Sequence, residues 1–392
     1  MMGVDHMEQT GDDLPRVVDI LRTLIGFRTI CEGTNEDLID WVASFLQSAG
    51  CRVTVVPGER AGAKSVFASI GPERAGGLIL SAHSDVVPVE GQAWHTDPFV
   101  LSRAGNRLYG RGTSDMKGFL ACMLRTAEKA QSRALERPLH LAVSYDEEIG
   151  CVGVRSLLSA IGAAGPEAAG IIVGEPTEMR TALAHKGKIA FRVTCRGIAG
   201  HSANPSNGVN AIAVAARMVC ALDHLQADII RTETHDSRFE VPHSTVQVGL
   251  IEGGTALNII PDRCAILAEI RLLPDRDGAD YLAVLHRAAE GLMRDYPGSA
   301  IEIEVLNAYP GLNSDVRNPV SQFTLNRMRQ NEASVVGFGT EAGLYAEKLG
   351  IPCVICGPGS IDRAHKADEF ITVEELAQGE RLLDDVLDLL SR

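Results

Sequence analysis

The chain has no uninterrupted apolar run long enough to cross a bilayer. It also lacks an excess of positive charge: 37 basic residues face 51 acidic ones, for a net charge of −14. That balance disfavours nucleic acid and anionic membrane surfaces as partners. Residues Met1 to Asp13 lack the basic-then-apolar order of a secretory signal and are expected to form a short polar tail. Nine cysteines, scattered from Cys31 to Cys356, show no spacing framework. An odd number without a framework points to reduced thiols in a reducing compartment, which implies the cytoplasm. Cys353 and Cys356 form a C-x-x-C in "GIPCVICGPG", but an offset of three on a strand places them on opposite faces, against a redox or zinc role. Internal repeats and low-complexity segments are missing as well.

What is present is ordinary globular composition, 45% apolar and 22% charged. A chain of 392 residues is too long for one ordinary core, so two domains are expected. Helix-period and strand-period segments alternate through the first half. "NEDLIDWVASFLQSAG" places Leu38, Trp41, Val42, Phe45 and Leu46 on one stripe, with Asn35 as N-cap and Gly50 as stop. The strands "CRVTVV", "SVFASI", "GLILSAH", "LHLAVSY" and "GIIVGEP" follow, with helices over 116–131 and 152–161. Continuous apolar strands alternating with helices predict an α/β catalytic domain around a central, mostly parallel sheet covered on both faces. Near His185 the pattern changes to one-sided strands in the order β-α-β-β-α-β, a ferredoxin-like α+β unit over 185–307. After Pro310 the α/β style resumes. Asn318 and Pro319 open a helix, and Thr372 with Glu375 makes a capping box for the last one. The expected organisation is a catalytic domain in two parts, 1–184 and 308–392, with a smaller domain, 185–307, inserted between them.

In open α/β sheets, sites form at the carboxyl ends of the strands. "LILSAHSD" ends in His83 and Asp85, "LAVSYDEE" in Asp146, Glu147 and Glu148, and "IIVGEP" in Glu175. "CVICGPGSIDRAH" leads to His365, and Asp115 sits where the glycine-rich "YGRGTSDMKG" enters a helix. Three adjacent carboxylates after a buried strand repel one another and resist desolvation, so something must neutralise them. Imidazole plus carboxylate suits Zn²⁺, with Mn²⁺ or Co²⁺ as alternatives. A carboxylate shared between two ions would give a two-metal hydrolytic site. Each residue alone has a plainer reading: a satisfied histidine, a turn acid at Glu175, a helix cap at Asp115. Their coincidence in one sheet brings the metal site level with those plainer readings.

The ordered segments "SAHSDVVPV", "YGRGTSDMKG", "YDEEIGC", "GEPT", "GIAGHSA", "GGTALNIIPDRC" and "GPGSIDRAHKADEFI" resemble the dinuclear-zinc aminoacylase, carboxypeptidase and deacetylase family over essentially the whole chain. The resemblance implies that Asp115 bridges two ions, that His83 and Glu175 complete one, and that Glu148 and His365 complete the other. It implies Glu147 as general base, Asp85 as the acid orienting the His83 imidazole, and a cis Asp115–Met116 peptide. The inserted domain would serve as lid and as the surface of a homodimer, with His201 stabilising the oxyanion and Asn258 and Arg271 holding the substrate carboxylate. Read without the resemblance, His201 is a loop or cap residue, Asn258 serves a turn and Arg271 faces solvent. The implied substrate is a small N-acyl amino acid. "FGTEAG" and "SYDEE" carry a finer likeness to one deacetylase branch, whose substrate bears a δ-ammonium. Glu341 is its candidate partner, or else a cap for the helix that follows.

Overall fold

The computed structural model describes residues 16–165 and 167–392; the polar segment Met1–Asp13 lies outside them. The described chain divides into two compact units. One comprises residues up to Arg180 together with Ile355–Arg392, and the other Thr181–Val354.

The first unit is built on a sheet in the order Arg52–Pro57, Lys64–Ile70, Leu139–Ser144, Leu78–His83, Gly170–Pro176, followed by Cys353–Gly357 where the chain returns to this unit. Leu78–His83 runs parallel to both of its neighbours, and Lys64–Ile70 pairs antiparallel with Leu139–Ser144 and with Arg52–Pro57. Every residue of the three central strands is buried, as their unbroken apolar sequences require. Helix Lys117–Ala130 packs onto strands Leu78–His83 and Gly170–Pro176 and contacts helices Arg16–Gly26 and Val373–Leu390. It sits so close that a Cβ on Gly174 would lie 1.9 Å from Phe119 Cδ1, which only glycine avoids. The Thr372–Glu375 capping box forms in full at the start of the last helix. Asn35 occupies the N-cap position of Glu36–Ser48 without capping it. Its amide instead bonds Lys64 O, Lys64 N and Ser84 Oγ, tying helix entry to two strands.

The second unit holds an antiparallel sheet in the order Thr245–Gly253, Arg263–Leu272, Gly187–Arg196, Ala300–Tyr309. Helices Ala211–Thr232 and Gly278–Asp295 pack against it. In chain order these elements form β-α-β-β-α-β, and Arg263–Leu272 alternates between buried and half-exposed residues along its length. Helix Ala211–Thr232 extends to about six turns, with Leu225 and Ile229 continuing its buried stripe. The unit extends beyond this motif: Ala182–His185 pairs with Leu312–Asn313 and Ser334–Val336, and helices Pro319–Arg327 and Ala342–Leu349 follow. All nine cysteines are free, and Cys353 and Cys356 are both fully buried. No helix among the described residues is long and apolar enough to cross a membrane.

Candidate metal centre

Three parallel strands end side by side in the first unit, and their ends deliver His83, the 146–148 turn and Glu175. Asp115 lies at the mouth of helix Lys117–Ala130, and its peptide bond to Met116 is cis. His365 follows the strand Cys353–Gly357 on a loop and sits at φ 61°, a left-handed conformation unusual for a residue other than glycine. The structure gathers these into two donor groups that share one carboxylate: His83, Asp115 and Glu175, and Asp115, Glu148 and His365. Within each group the donor atoms lie within 4.8 Å of one another. His83 Nε2 is 3.1 Å from Asp115 Oδ1, and His365 Nε2 is 3.3 Å from Asp115 Oδ2 and 2.9 Å from Glu148 Oε2.

Electrostatics show a cluster in want of positive charge. Burial, then repulsion from Asp115, pushes the Glu148 carboxyl up to about 7. Burial and the negative charges of Asp115 and Glu147 hold the Glu175 carboxyl well above its ordinary range. Bonds to Asp115 and Glu148 raise His365 to about 10, despite burial. Burial opposes a charge on His83, but Asp115 and Asp85 outweigh it and hold the imidazole well above its usual value. Protons thus do here what cations would otherwise do. Glu148 Oε1 is buried without a hydrogen-bond partner, a lone pair of the kind that a metal ion satisfies. Carboxylate and imidazole donors in two groups that share Asp115 fit a pair of divalent ions.

The acids after Tyr145 are handled separately. Asp146 accepts from Glu32 N (2.8 Å) and pairs with Arg60 (2.9 Å), so a salt bridge and an amide answer its charge. Glu147 is half-buried, with Cys151 Sγ 3.3 Å from its Oε1. Asp85 meets His83 with both its main chain and its side chain. The atom nearest His83 Nδ1 is the Asp85 backbone carbonyl at 3.0 Å, with the carboxylate at 3.5 Å. The carboxylate accepts from the backbone amides of Glu147 (3.1 Å) and Glu148 (3.2 Å). Asp85 therefore faces His83 with carbonyl and carboxylate, and holds the 147–148 turn with the same carboxylate.

In the second unit, His201 and Asn258 come together. Gly200–His201 pairs with Ile259–Ile260, both residues are exposed, and His201 Nδ1 accepts from Ala203 N (3.0 Å). Arg271 is not with them. It pairs with Lys188, near the start of strand Gly187–Arg196, whereas His201 follows that strand's other end; the span is roughly 25 Å at about 3.3 Å per residue. Arg271 is half-buried and bonds Glu269 (2.9 Å) and Tyr309 OH (3.3 Å). Glu341 is buried, and Ala342 N donates to Thr340 Oγ1 (3.0 Å) at the start of the helix.

Sequence reasoning missed two charged residues beside the centre, Arg111 and Glu369, which form a fully buried pair at 2.6 Å. Both sit in segments the resemblance used, "YGRG" and "ADEF", but 258 positions separate them and nothing in the sequence signals the pairing.

Residues 79–389 match Peptidase family M20/M25/M40, and the chain belongs to that family. The acetylornithine deacetylase of Myxococcus xanthus is 36% identical over 379 residues, covering 95% of this chain and 97% of its own. That of Photorhabdus laumondii is 31% identical over 382 residues, covering 96% and 97%. Among solved structures, the M20 family metallo-carboxypeptidase Sso-CP2 of Sulfolobus solfataricus shares the fold with a TM-score of 0.78 at 18% identity, covering 96% of this chain and all of that one.

Proposed function

We propose that the chain is a metal-dependent amidohydrolase that removes the acetyl group from N-acetyl-L-ornithine, giving ornithine and acetate, in the arginine biosynthesis of the cytoplasm. The observation that carries this reading is the pair of donor groups joined at Asp115, with Glu147 beside the Glu148 donor. The names of the relatives support the acyl group and side chain; the free cysteines support a reducing compartment.

His83, Asp115 and Glu175 would hold one divalent ion, and Asp115, Glu148 and His365 the other, with Zn²⁺ first in line and Co²⁺ or Mn²⁺ as substitutes. When bound, such a pair supplies Lewis acidity, polarising an acyl oxygen and acidifying a water. Glu147, held by its amide to Asp85, takes the proton of the attacking water and returns it to the leaving amine. His201, whose Nδ1 accepts from Ala203 N, is left with Nε2–H to donate to the oxyanion. Asn258 and Arg271 are assigned to the substrate carboxylate, and Glu341 to the δ-ammonium.

The distance between Arg271 and His201 within one chain supports a homodimer in which different subunits supply them. Strands Thr245–Gly253 and Ala300–Tyr309 border the sheet, with Leu250, Ile251, Val305 and Leu306 exposed, and either edge could carry such a contact.

The test is steady-state hydrolysis of N-acetyl-L-ornithine, N-succinyl-diaminopimelate and N-acetyl-methionine by protein loaded with Zn²⁺ or Co²⁺. A strong preference for acetylornithine is expected. Preference for another substrate would keep the amide chemistry and discard the acetylornithine assignment. Failure on all three with two metals bound would point to another acyl substrate or to a metal-stabilised binding protein.

A further inference from the structure

Glu369 is 1% exposed and accepts four hydrogen bonds. Its Oε1 takes Ser114 N (2.9 Å) and Asp115 N (3.1 Å), and its Oε2 takes Gly112 N (3.0 Å) and Arg111 Nη1 (2.6 Å). The short strand Phe370–Thr372 pairs with Arg107–Tyr109, and Gly110 N donates to the Glu369 carbonyl (3.0 Å), so backbone as well as side chain sets this register. Arg111, equally buried, reaches the other way. Its Nη1 also donates to Lys366 O (3.3 Å) and its Nη2 to Gln92 Oε1 (2.6 Å), while its guanidinium lies 5.1 Å from the Trp94 ring. Gln92 Nε2 closes the circuit on His365 O (3.1 Å).

We propose that Glu369, with Arg111 and Gln92, is the positioning device of the metal centre: it fixes the backbone that presents Asp115 and ties it to the loop that presents His365. A buried ion pair is a poor source of stability on its own, since desolvation offsets most of its attraction. Here the carboxylate accepts from three amides of one turn, those of Gly112, Ser114 and Asp115, an arrangement that orients a loop. The chain needs such a restraint. His365 sits at φ 61°, a conformation costly for a residue other than glycine, so its loop needs a tether to hold that geometry. Glu369 thus does for the bridging aspartate what Asp85 does for Glu147 and Glu148. The inference rests on the two-metal reading above, and it concerns residues that would touch neither ion.

The experiment measures Co²⁺ binding to wild type, Glu369→Gln and Gln92→Ala by calorimetric titration and visible spectrum, with kcat and KM alongside. Glutamine keeps the volume of Glu369 but turns one acceptor into a donor facing Gly112 N and Arg111. Its Co²⁺ affinity is expected to fall about 10- to 100-fold, the usual cost of losing an outer-shell tether, with an altered visible spectrum and a loss in kcat larger than any change in KM. Gln92→Ala removes the His365 tether and the acceptor for Arg111 and Trp94, but keeps the Glu369 bonds to the 112–115 turn; it is expected to weaken one of two binding events, leaving the other intact. If Glu369→Gln fails to fold, the Gln92→Ala result decides. Wild-type stoichiometry and spectrum in the folded variants would overturn the positioning role. A wild type that binds fewer than two ions would instead overturn the metal reading beneath it.

Discussion

Strands Leu78–His83 and Leu139–Ser144 run parallel in register, Ile79 opposite His140 and His83 opposite Ser144, so one histidine marks each end of the pair. Both are buried, His83 at 1% and His140 at 7% exposure, yet they are driven in opposite directions. His140 stacks on Phe67, its ring centroid 5.5 Å away, and its Nδ1 meets Ser69 Oγ at 2.7 Å. Burial, assisted by Arg52, pushes it down to about 4, so it is neutral at pH 7. His83 suffers the same burial but faces Asp115 and Asp85, which hold it well above its ordinary value. A buried histidine is therefore informative only through its neighbours. Among the described residues, the grouped donors lie at the carboxyl ends of the strands. The amino end of the same sheet uses its histidine as a packed aromatic with one hydroxyl partner.

Removing charge from the carboxyl end should have effects without counterpart at the amino end. The largest is expected for Asp115→Ala, because Asp115 belongs to both donor groups. It should abolish binding of both ions and all measurable hydrolysis. His365→Ala should leave one ion bound, counted by elemental analysis after gel filtration. Retention of two ions by Asp115→Ala would refute the shared-ligand arrangement. Glu147→Gln comes next. It should retain both ions and lose roughly 10²- to 10⁴-fold in kcat, the ordinary worth of a general base. Near-normal kcat in a metal-replete Glu147→Gln protein would remove Glu147 from that role.

The same contrast shows what the sequence could and could not carry. The central strands were readable because they are apolar without interruption, and Arg263–Leu272 because it alternates. The gathered donors were readable because each stands just past a strand or a glycine turn. What stayed hidden depends on where side chains turn after the chain folds. Asn35 is a good N-cap residue whose amide is recruited by Lys64 and Ser84 instead. Asp85 sends its carboxylate to two amides as well as toward His83, which its carbonyl also meets. The strands Ser102–Ala104, Arg107–Tyr109 and Phe370–Thr372 are too short to show a period, so the contact that brings Glu369 to Asp115 left no pattern to read.

The amino end offers the smaller effect, and it concerns stability alone. An unfolded histidine titrates near 6.5, whereas His140 in the fold titrates at about 4. Above pH 6.5 both states are neutral there, and the group places no pH dependence on folding. As pH falls from 6.5 toward 4, the unfolded chain binds a proton that the folded chain refuses, so stability must fall, by on the order of 3 kcal/mol once pH 4 is reached. His140→Gln cannot take up that proton in either state. Its loss of the ring stack and the bond to Ser69 should cost about 1–2 kcal/mol at pH 7. Between pH 6.5 and 4, however, its stability should decline less steeply than that of wild type. Urea unfolding across this range in the presence of chelator, which removes any metal contribution, compares the two slopes. Equal slopes would place the acid sensitivity elsewhere. His185, fully buried in the second unit and likewise pushed down to about 4, is then the residue to substitute.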